Sequence, residues 1–334
     1  TMNNRGLDLG PSDIVRGQVM SNLGFGKSDD EQRKIQEEIW NDWDEISRLV
    51  KEPEAFLRHY LVATSEDETD KVQKKKVVRA VELRINSSIP QERVQKTETF
   101  WNDLLASARY YTEIVQPAMG GECQYHLELM NGLSKSQRIF LLEIFRKELS
   151  EKVRDELVRL VFVITYRWVL SGRNAQRMED KFQSLAIQIR GKVSPEELLE
   201  NLKGQVALLD FDVKTTFSSE MDSSFASRAL LHFINKKTDP HQTVIPLVGE
   251  NFHLEHVAPQ SGKNDWIATF YKNVPNEYKR YPNDISGLGN LTLLDPKKNK
   301  GIKDAVFDVK KEAYSGSVAL ITRDLAHFKV WNDD

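Results

Sequence analysis

The chain has 334 residues, a formal net charge of −3, 40% apolar residues and 29% charged residues, a composition typical of a globular protein with room for two domains. Its single cysteine, Cys123, excludes an intramolecular disulfide framework and a structural zinc site built from cysteines. No apolar run approaches the ~20 residues that cross a bilayer and no signal peptide is visible, so we expect no membrane association and a cytoplasmic location.

The first two thirds of the chain have the apolar spacing of helices. Between residues 29 and 189 apolar side chains recur every three or four positions, and prolines stand where new helices would begin. Asn131-Gly132 predicts a turn between two helices, Gln124–Met130 and Ser136–Leu149. Arg154–Leu170 is the most apolar segment, which predicts a helix buried on several sides. A last helix is predicted over Ser224–Asn235.

Four polar side chains that suit phosphodiester chemistry follow in the last quarter of the chain. Glu255 and His256 are adjacent at the end of a short apolar segment. Asn290 occupies a tight Gly-Asn turn before another apolar run, and Asn299 follows nine residues later, where lysines cluster at a predicted helix start. A carboxylate, an imidazole and two amides framed by lysines predict metal-assisted cleavage of a phosphodiester.

Each of these residue types has a distinct expected role. A histidine with an ordinary pKa of about 6.5 is a suitable general base, which assigns this role to His256. Mg²⁺ prefers oxygen ligands and takes only one or two from the protein. Glu255 and the side-chain carbonyl oxygen of Asn299 meet that demand. Asn290 is expected to hold a loop carbonyl or the imidazole in place.

The lysines near Asn299 predict contacts with phosphate groups. A helix N-terminus favours anions, and lysine adds positive charge there without reading bases. A solvated lysine face is the alternative interpretation. The residues concerned are Lys297, Lys298, Lys300 and Lys303. His253 would share a strand face with Glu255 and not with His256, where it either contacts a phosphate or packs.

The motifs L-E-H-V-A-P-Q and G-L-G-N-L-T-L-L, followed by Asn299 and by A-V-F-D-V-K-K-E-A-Y-S-G-S, resemble the HNH, or His-Me finger, nuclease domain of GmrSD-type restriction enzymes, SspE-like members included. The last segment is similar to the family's F-x-x-K-K-x-x-Y-x-x-S pattern. The resemblance implies a mainly α protein in which a helical domain precedes a small ββα-metal nuclease. It also implies the same roles for His256, Glu255, Asn290 and Asn299, with Mg²⁺ or another divalent ion such as Mn²⁺.

The same resemblance implies the organisation of the chain and its partners. Residues 1–28 would be the end of a truncated, nucleotide-dependent N-terminal domain, residues 29–236 a helical scaffold domain, and residues 237–334 the HNH nuclease domain. The expected activity is that of a metal-dependent DNA endonuclease in a bacterial restriction system, which nicks or cuts phage or modified DNA.

Two other functions are compatible with the same residues. One is a non-catalytic DNA-binding or regulatory module that keeps a nuclease fold, and the presence of all four polar residues argues against it. The other is an RNase, because the residues act on the phosphate and do not distinguish DNA from RNA.

Overall fold

A computed structural model describes residues 10–67, 72–73, 76–191, 193–209, 225–238, 252–263, 266–272, 279–281 and 285–332. The described chain is mostly helical with one small two-stranded sheet, which confirms the mainly α prediction. Residues 1–9 lie outside the described ranges. Among the helices of these ranges, none has the combination of length and apolar character that crossing a membrane requires.

The chain divides into two compact units. The first comprises residues 1–127, 134–162 and 174–204, and the second comprises residues 128–133, 163–173 and 205–334. From Pro11 to Leu208 the structure contains α1 (Pro11–Leu23), α2 (Asp29–Leu49), α3 (Pro53–Ala63), α4 (Val77–Ile85), α5 (Pro90–Val115), α6 (Gly121–Leu133), α7 (Arg138–Arg146), α8 (Glu151–Leu170), α9 (Ala175–Arg190) and α10 (Pro195–Leu208).

Local sequence accounts for many helix starts. Proline is the first residue of α1, α3, α5 and α10, where its missing N–H has no helical partner to lose. Helix α2 begins with a capping box, in which the Ser28 hydroxyl accepts from the Glu31 N–H and the Glu31 carboxylate accepts from the Ser28 N–H at 2.9 Å. As predicted, α8 is buried over most of its middle turns.

The turn predicted at Asn131-Gly132 is wrong, because α6 runs through both residues to Leu133. Within the second unit, the Phe225 ring packs so closely against Gly132 that a Cβ atom there would overlap it. The glycine therefore serves packing and not a turn. The chain turns instead before α7, where the Gln137 side-chain amide donates to the Ser134 carbonyl at 2.7 Å.

The second unit continues with α11 (Phe225–Thr238), β1 (His253–His256), α12 (Trp266–Phe270), β2 (Leu291–Leu294), α13 (Pro296–Ile302), α14 (Phe307–Ser315) and α15 (Leu320–Leu325). Helix α11 matches the helix predicted over residues 224–235, except that Ser224 lies outside the described residues. A single 3₁₀ turn, Leu288–Asn290, leads into β2.

The two strands form an antiparallel pair that lies between two apolar clusters. His256 pairs with Leu291 and His253 with Leu294. Leu291 and Leu293 pack with α11 residue Leu231 on one side. On the other side, Leu294 belongs to a cluster with residues of α12, α13 and α14. All four residues of β2 are buried, so the register of the pair is strongly specified.

His59 is a buried histidine in the first unit, on α3. Its Nδ1 atom lies 2.7 Å from the hydroxyl of Tyr111 on α5. Burial, with smaller contributions from Arg138 and Arg58, lowers the pKa of His59 to about 3 from its ordinary 6.5. The imidazole is therefore neutral in the folded protein across the physiological range.

We expect the lowered pKa of His59 to make the protein less stable in mild acid. Below pH 6.5 the unfolded chain binds a proton at His59 and the folded chain does not until about pH 3, so stability falls as the pH falls through this window. Between pH 7 and pH 5 the loss from this group is about 2 kcal/mol. Urea unfolding at both pH values measures it for the parent and for His59→Gln, which should lose less stability.

The matched control is His327→Gln, because His327 is exposed. This variant should show the same pH dependence as the parent. An equal pH dependence in His59→Gln and the parent would contradict the assignment to His59.

Candidate active site

Glu255 is the buried carboxylate of β1 and is only 4% exposed. Its Oε1 atom accepts a hydrogen bond from the Lys310 ammonium at 2.6 Å and another from the Tyr314 hydroxyl at 3.0 Å. Both partners lie on α14, four residues apart, and therefore on one helix face. The contacts fix the distance between α14 and β1.

Lys310 also contacts the backbone of β1. Because the Val257 N–H donates to the Asn290 carbonyl and pairing in an antiparallel ladder alternates, the carbonyls of Leu254 and His256 point away from β2. The Lys310 ammonium donates to the His256 carbonyl at 2.8 Å. The buried Lys310 ammonium thus donates hydrogen bonds both to the Glu255 carboxylate and to a carbonyl on the outer edge of β1.

Burial shifts the pKa of each member of this group toward its neutral form. It raises the pKa of Glu255, which the Lys310 ammonium and the Tyr314 hydroxyl oppose. It lowers the pKa of Lys310, which the Glu255 carboxylate opposes. Burial and the adjacent carboxylate both raise the pKa of Tyr314, so the phenol remains a hydrogen-bond donor.

His256 is the last residue of β1 and is half-buried. Burial, followed by the positive charge of Lys310, lowers the pKa of its imidazole below 6.5. The side chain is therefore neutral at physiological pH and keeps a basic ring nitrogen. Alternation along the strand puts His256 on the face opposite Glu255 and His253, as predicted for His253.

Asn290 fixes the chain that follows His256. Its Oδ1 atom accepts from the Ala258 N–H and its Nδ2 atom donates to the Ala258 carbonyl, both at 2.8 Å. Nδ2 also donates to the Ile285 carbonyl at 2.8 Å, and the Trp331 indole donates to Oδ1 at 2.9 Å. Asn290 was expected to hold either a loop carbonyl or the His256 imidazole. Its side-chain amide holds loop backbone groups.

Asn299 lies on α13 beside the outer edge of β1. Its Nδ2 atom donates to the outward-pointing Leu254 carbonyl at 3.3 Å. This bond fixes the orientation of the amide and leaves Oδ1 available as an acceptor. Asn299 and Lys310 therefore donate hydrogen bonds to the two successive carbonyls of β1 that point away from β2.

The available oxygen atoms suit a hard divalent ion with few protein ligands. Within the described ranges no three His, Cys, Asp or Glu side chains gather in a metal-binding group. Mg²⁺ does not need one, because it retains several waters and takes one or two protein oxygens. Glu255 and Asn299 would be the two residues to provide these oxygens, and the Lys310 and Tyr314 bonds to Oε1 orient the Glu255 carboxylate.

The four predicted phosphate-binding lysines have different environments. Lys297, Lys300 and Lys303 are exposed, whereas the Lys298 ammonium donates to the Gly316 carbonyl after α14. The N-terminus of α13 is capped by the Asp295 carboxylate, which accepts from the Lys297 and Lys298 N–H groups. The expectation that this N-terminus is open to an anion is therefore wrong, because a carboxylate already satisfies it.

Three residues contribute to the site without having been assigned a role from sequence: Lys310, Tyr314 and Trp331. The F-x-x-K-K-x-x-Y pattern places Lys310 and Tyr314 four residues apart, a spacing that could have identified a shared helix face but not the partner of that face. Nothing in the sequence around Trp331 indicated its bond to Asn290.

We expect Lys310→Met to destabilise the protein by about 3–5 kcal/mol, because it leaves the buried Glu255 carboxylate without its cation. Urea unfolding measures this cost. The double variant Glu255→Gln/Lys310→Met should recover part of the lost stability, since no buried charge remains unpaired.

Lys311→Met is the matched control, because the neighbouring lysine pairs with the exposed Asp308. An exposed pair of this kind contributes under about 1 kcal/mol. Equal stability of Lys310→Met and Lys311→Met would show that the buried pair does not hold α14 against β1.

Comparison with known families gives one match. Residues 208–334 match the family described as GmrSD restriction endonucleases, C-terminal domain, which confirms the resemblance drawn from the motifs. Neither the curated proteins nor the solved structures gave a match. The matched range contains β1, β2 and all the residues of the candidate site, and the match indicates a restriction-endonuclease type of function for it. Residues 208–334 of this chain are therefore similar to the C-terminal domain of the GmrSD restriction endonucleases.

Proposed function

We propose that the chain is a metal-dependent DNA endonuclease of the HNH, or His-Me finger, type. One observation supports this most directly: His256 combines a rigidly held backbone with a neutral imidazole. Lys310 holds the His256 carbonyl, and Asn290 holds Ala258 two residues later. A general base needs this combination, because its position and its protonation state both enter the rate.

In the proposed reaction His256 accepts a proton from a water molecule as the water oxygen attacks the phosphorus atom. The phosphorus–oxygen bond to the leaving nucleotide breaks, and the leaving oxygen takes up a proton. Glu255 Oε2 and Asn299 Oδ1 would hold Mg²⁺ or Mn²⁺, which supplies positive charge to neutralise the phosphate. β1, β2 and α13 would form the ββα-metal unit.

The exposed lysines of α13, together with Lys303 immediately after it, are proposed to bind the DNA backbone. Lys297 and Lys300 present charge to solvent beside Asn299. Lys303 is the C-terminal cap of the helix, and its charge helps to lower the pKa of the neighbouring Asp304. Lys298 contributes less, because its ammonium is already bonded to Gly316. Such contacts are indifferent to base sequence.

The family suggests the biological setting. We propose that residues 237–334 act as the nuclease domain and residues 29–236 as a helical scaffold. The substrate would be phage or modified DNA, and the process bacterial restriction in the cytoplasm. The support for this setting is the match of residues 208–334 to the restriction-endonuclease family.

We expect His256→Ala to lower the rate of plasmid nicking in Mg²⁺ by a factor on the order of 10²–10⁴, the contribution typical of a general base. Its DNA affinity, measured in EDTA, should stay near that of the parent, because the imidazole acts in the transition state.

His253→Ala is the matched control, since it removes a half-buried histidine from the other face of the same strand. This variant should nick DNA within tenfold of the parent rate. Parent-level nicking by His256→Ala would remove the basis of the proposal. A matched RNA substrate that is cleaved faster than DNA would reassign the activity to RNA.

We expect Asn299→Ala to raise the Mg²⁺ concentration for half-maximal nicking by roughly tenfold or more, because one of two protein oxygens is lost. Lys300→Ala, at the next position, should leave that concentration unchanged, with circular dichroism as the folding control. Identical Mg²⁺ responses in the two variants would mean that the ion binds elsewhere.

A further inference from the structure

A polar groove in the first unit has no part in the chemistry proposed above. It lies among α1, α4 and α5, has a volume of about 480 Å³, and is lined mostly by polar residues. This volume lies within the ~300–1,000 Å³ range of ligand sites. The residues that carry the argument are Gly17, Gln18, Arg79, Glu82 and Arg93.

The groove presents more positive charge than negative charge. Its two arginines face one carboxylate, Glu82, which leaves a net charge of +1. That carboxylate is already engaged, because it accepts from the Gln18 amide at 2.8 Å and from Arg79 at 3.2 Å. A ligand entering the groove would therefore encounter mostly hydrogen-bond donors.

Arg93 is available to such a ligand. It forms no ion pair in the described part of the chain, and its Nε atom is buried without a hydrogen-bond partner there. Its guanidinium lies over the ring of Phe25, 5.1 Å from the centroid, and that ring is 53% exposed. An arginine on an exposed aromatic ring is an arrangement that stacks nucleotides while donating to phosphate.

Gly17 is a second, independent indication of a ligand. It lies in the interior of α1, where glycine weakens a helix relative to alanine. The fold does not require it, because a Cβ atom at this position would meet nothing within 4 Å. A glycine that faces open space in a groove permits the close approach of another molecule to the helix backbone.

We propose that this groove binds the sugar-phosphate backbone of a DNA strand, with Arg79 and Arg93 on phosphate oxygens and the backbone passing close to Gly17. The inference extends the proposed function, since it rests on DNA being the substrate. It adds a DNA contact in the helical part of the chain, outside the range that matches the nuclease family.

DNA affinity, measured by fluorescence anisotropy in EDTA at several salt concentrations, tests the two arginines. Two lost phosphate contacts should lower the slope of log affinity against log salt by about 1–2 in Arg79→Ala/Arg93→Ala. Arg109→Ala, which removes an exposed arginine of α5 paired with Glu45 outside the groove, should leave the slope unchanged. An unchanged slope in the double variant, or an equal loss in Arg109→Ala, would overturn the proposal.

Gly17 gives a test that leaves the charges intact. Gly17→Ala should unfold at the same or a higher temperature and still weaken DNA binding about twofold or more, and Gly17→Phe should fill the groove and weaken binding about tenfold or more. Thermal unfolding of both variants verifies the fold. Parent-level DNA binding by a folded Gly17→Phe variant would overturn the proposal.

Two further measurements separate the possible outcomes. Calorimetric titration with inorganic phosphate should show only weak, millimolar binding; tight phosphate binding that Arg79→Ala/Arg93→Ala abolishes would identify a free phosphate as the ligand and overturn the proposal. Because binding is measured without metal, it is independent of cleavage. If the parent nicks DNA but Arg79→Ala/Arg93→Ala does not change the salt slope, only the groove proposal is rejected. If the double variant lowers the salt slope but the parent does not nick DNA, the groove proposal is supported and the nuclease assignment is rejected.

Discussion

The ammonium group of Lys310 is buried within the second unit, and the candidate site depends on where that charge lies. It contacts the Glu255 carboxylate at 2.6 Å and the His256 carbonyl at 2.8 Å, so one side chain positions two successive residues of β1. Burying a lysine is costly unless it is paired and hydrogen-bonded, and here both conditions are met. The pair thus ties α14 to the strand while the imidazole of His256 remains neutral.

The chain just after β1 is also held. Asn290 precedes β2 and bonds both polar groups of Ala258, so it ties the start of β2 to the loop after His256. Asn299 donates a hydrogen bond to the Leu254 carbonyl, the other carbonyl of β1 that points away from β2. Strand pairing alone would leave the outer edge of β1 free to exchange partners. Side chains from two helices close that edge and thereby place the catalytic candidates.

The sequence predicts the parts of this arrangement that depend on local patterns. Helices follow from apolar spacing and from prolines at helix starts, and the order of Glu255, His256, Asn290 and Asn299 follows from short motifs. The Lys310 contact could not be predicted, because it joins residues 55 positions apart and lysines are mostly exposed. Lys298 and Lys300 look alike in sequence, and only packing decides that the first bonds Gly316. At Gly132, contact with Phe225 overrides the turn preference.

The indole of Trp331 has a consequence for how the domain tolerates trimming. Residues near the end of a domain are ordinarily the ones that deletions and fusions disturb least. Here Trp331 donates to the same Asn290 oxygen that receives the Ala258 N–H, and its ring packs against Phe307 and Phe328. Removing this segment would remove a hydrogen-bond donor to the Asn290 side-chain amide, which positions the loop after His256. The residues around Trp331 therefore contribute to the geometry of a site 41 or more positions away in the chain.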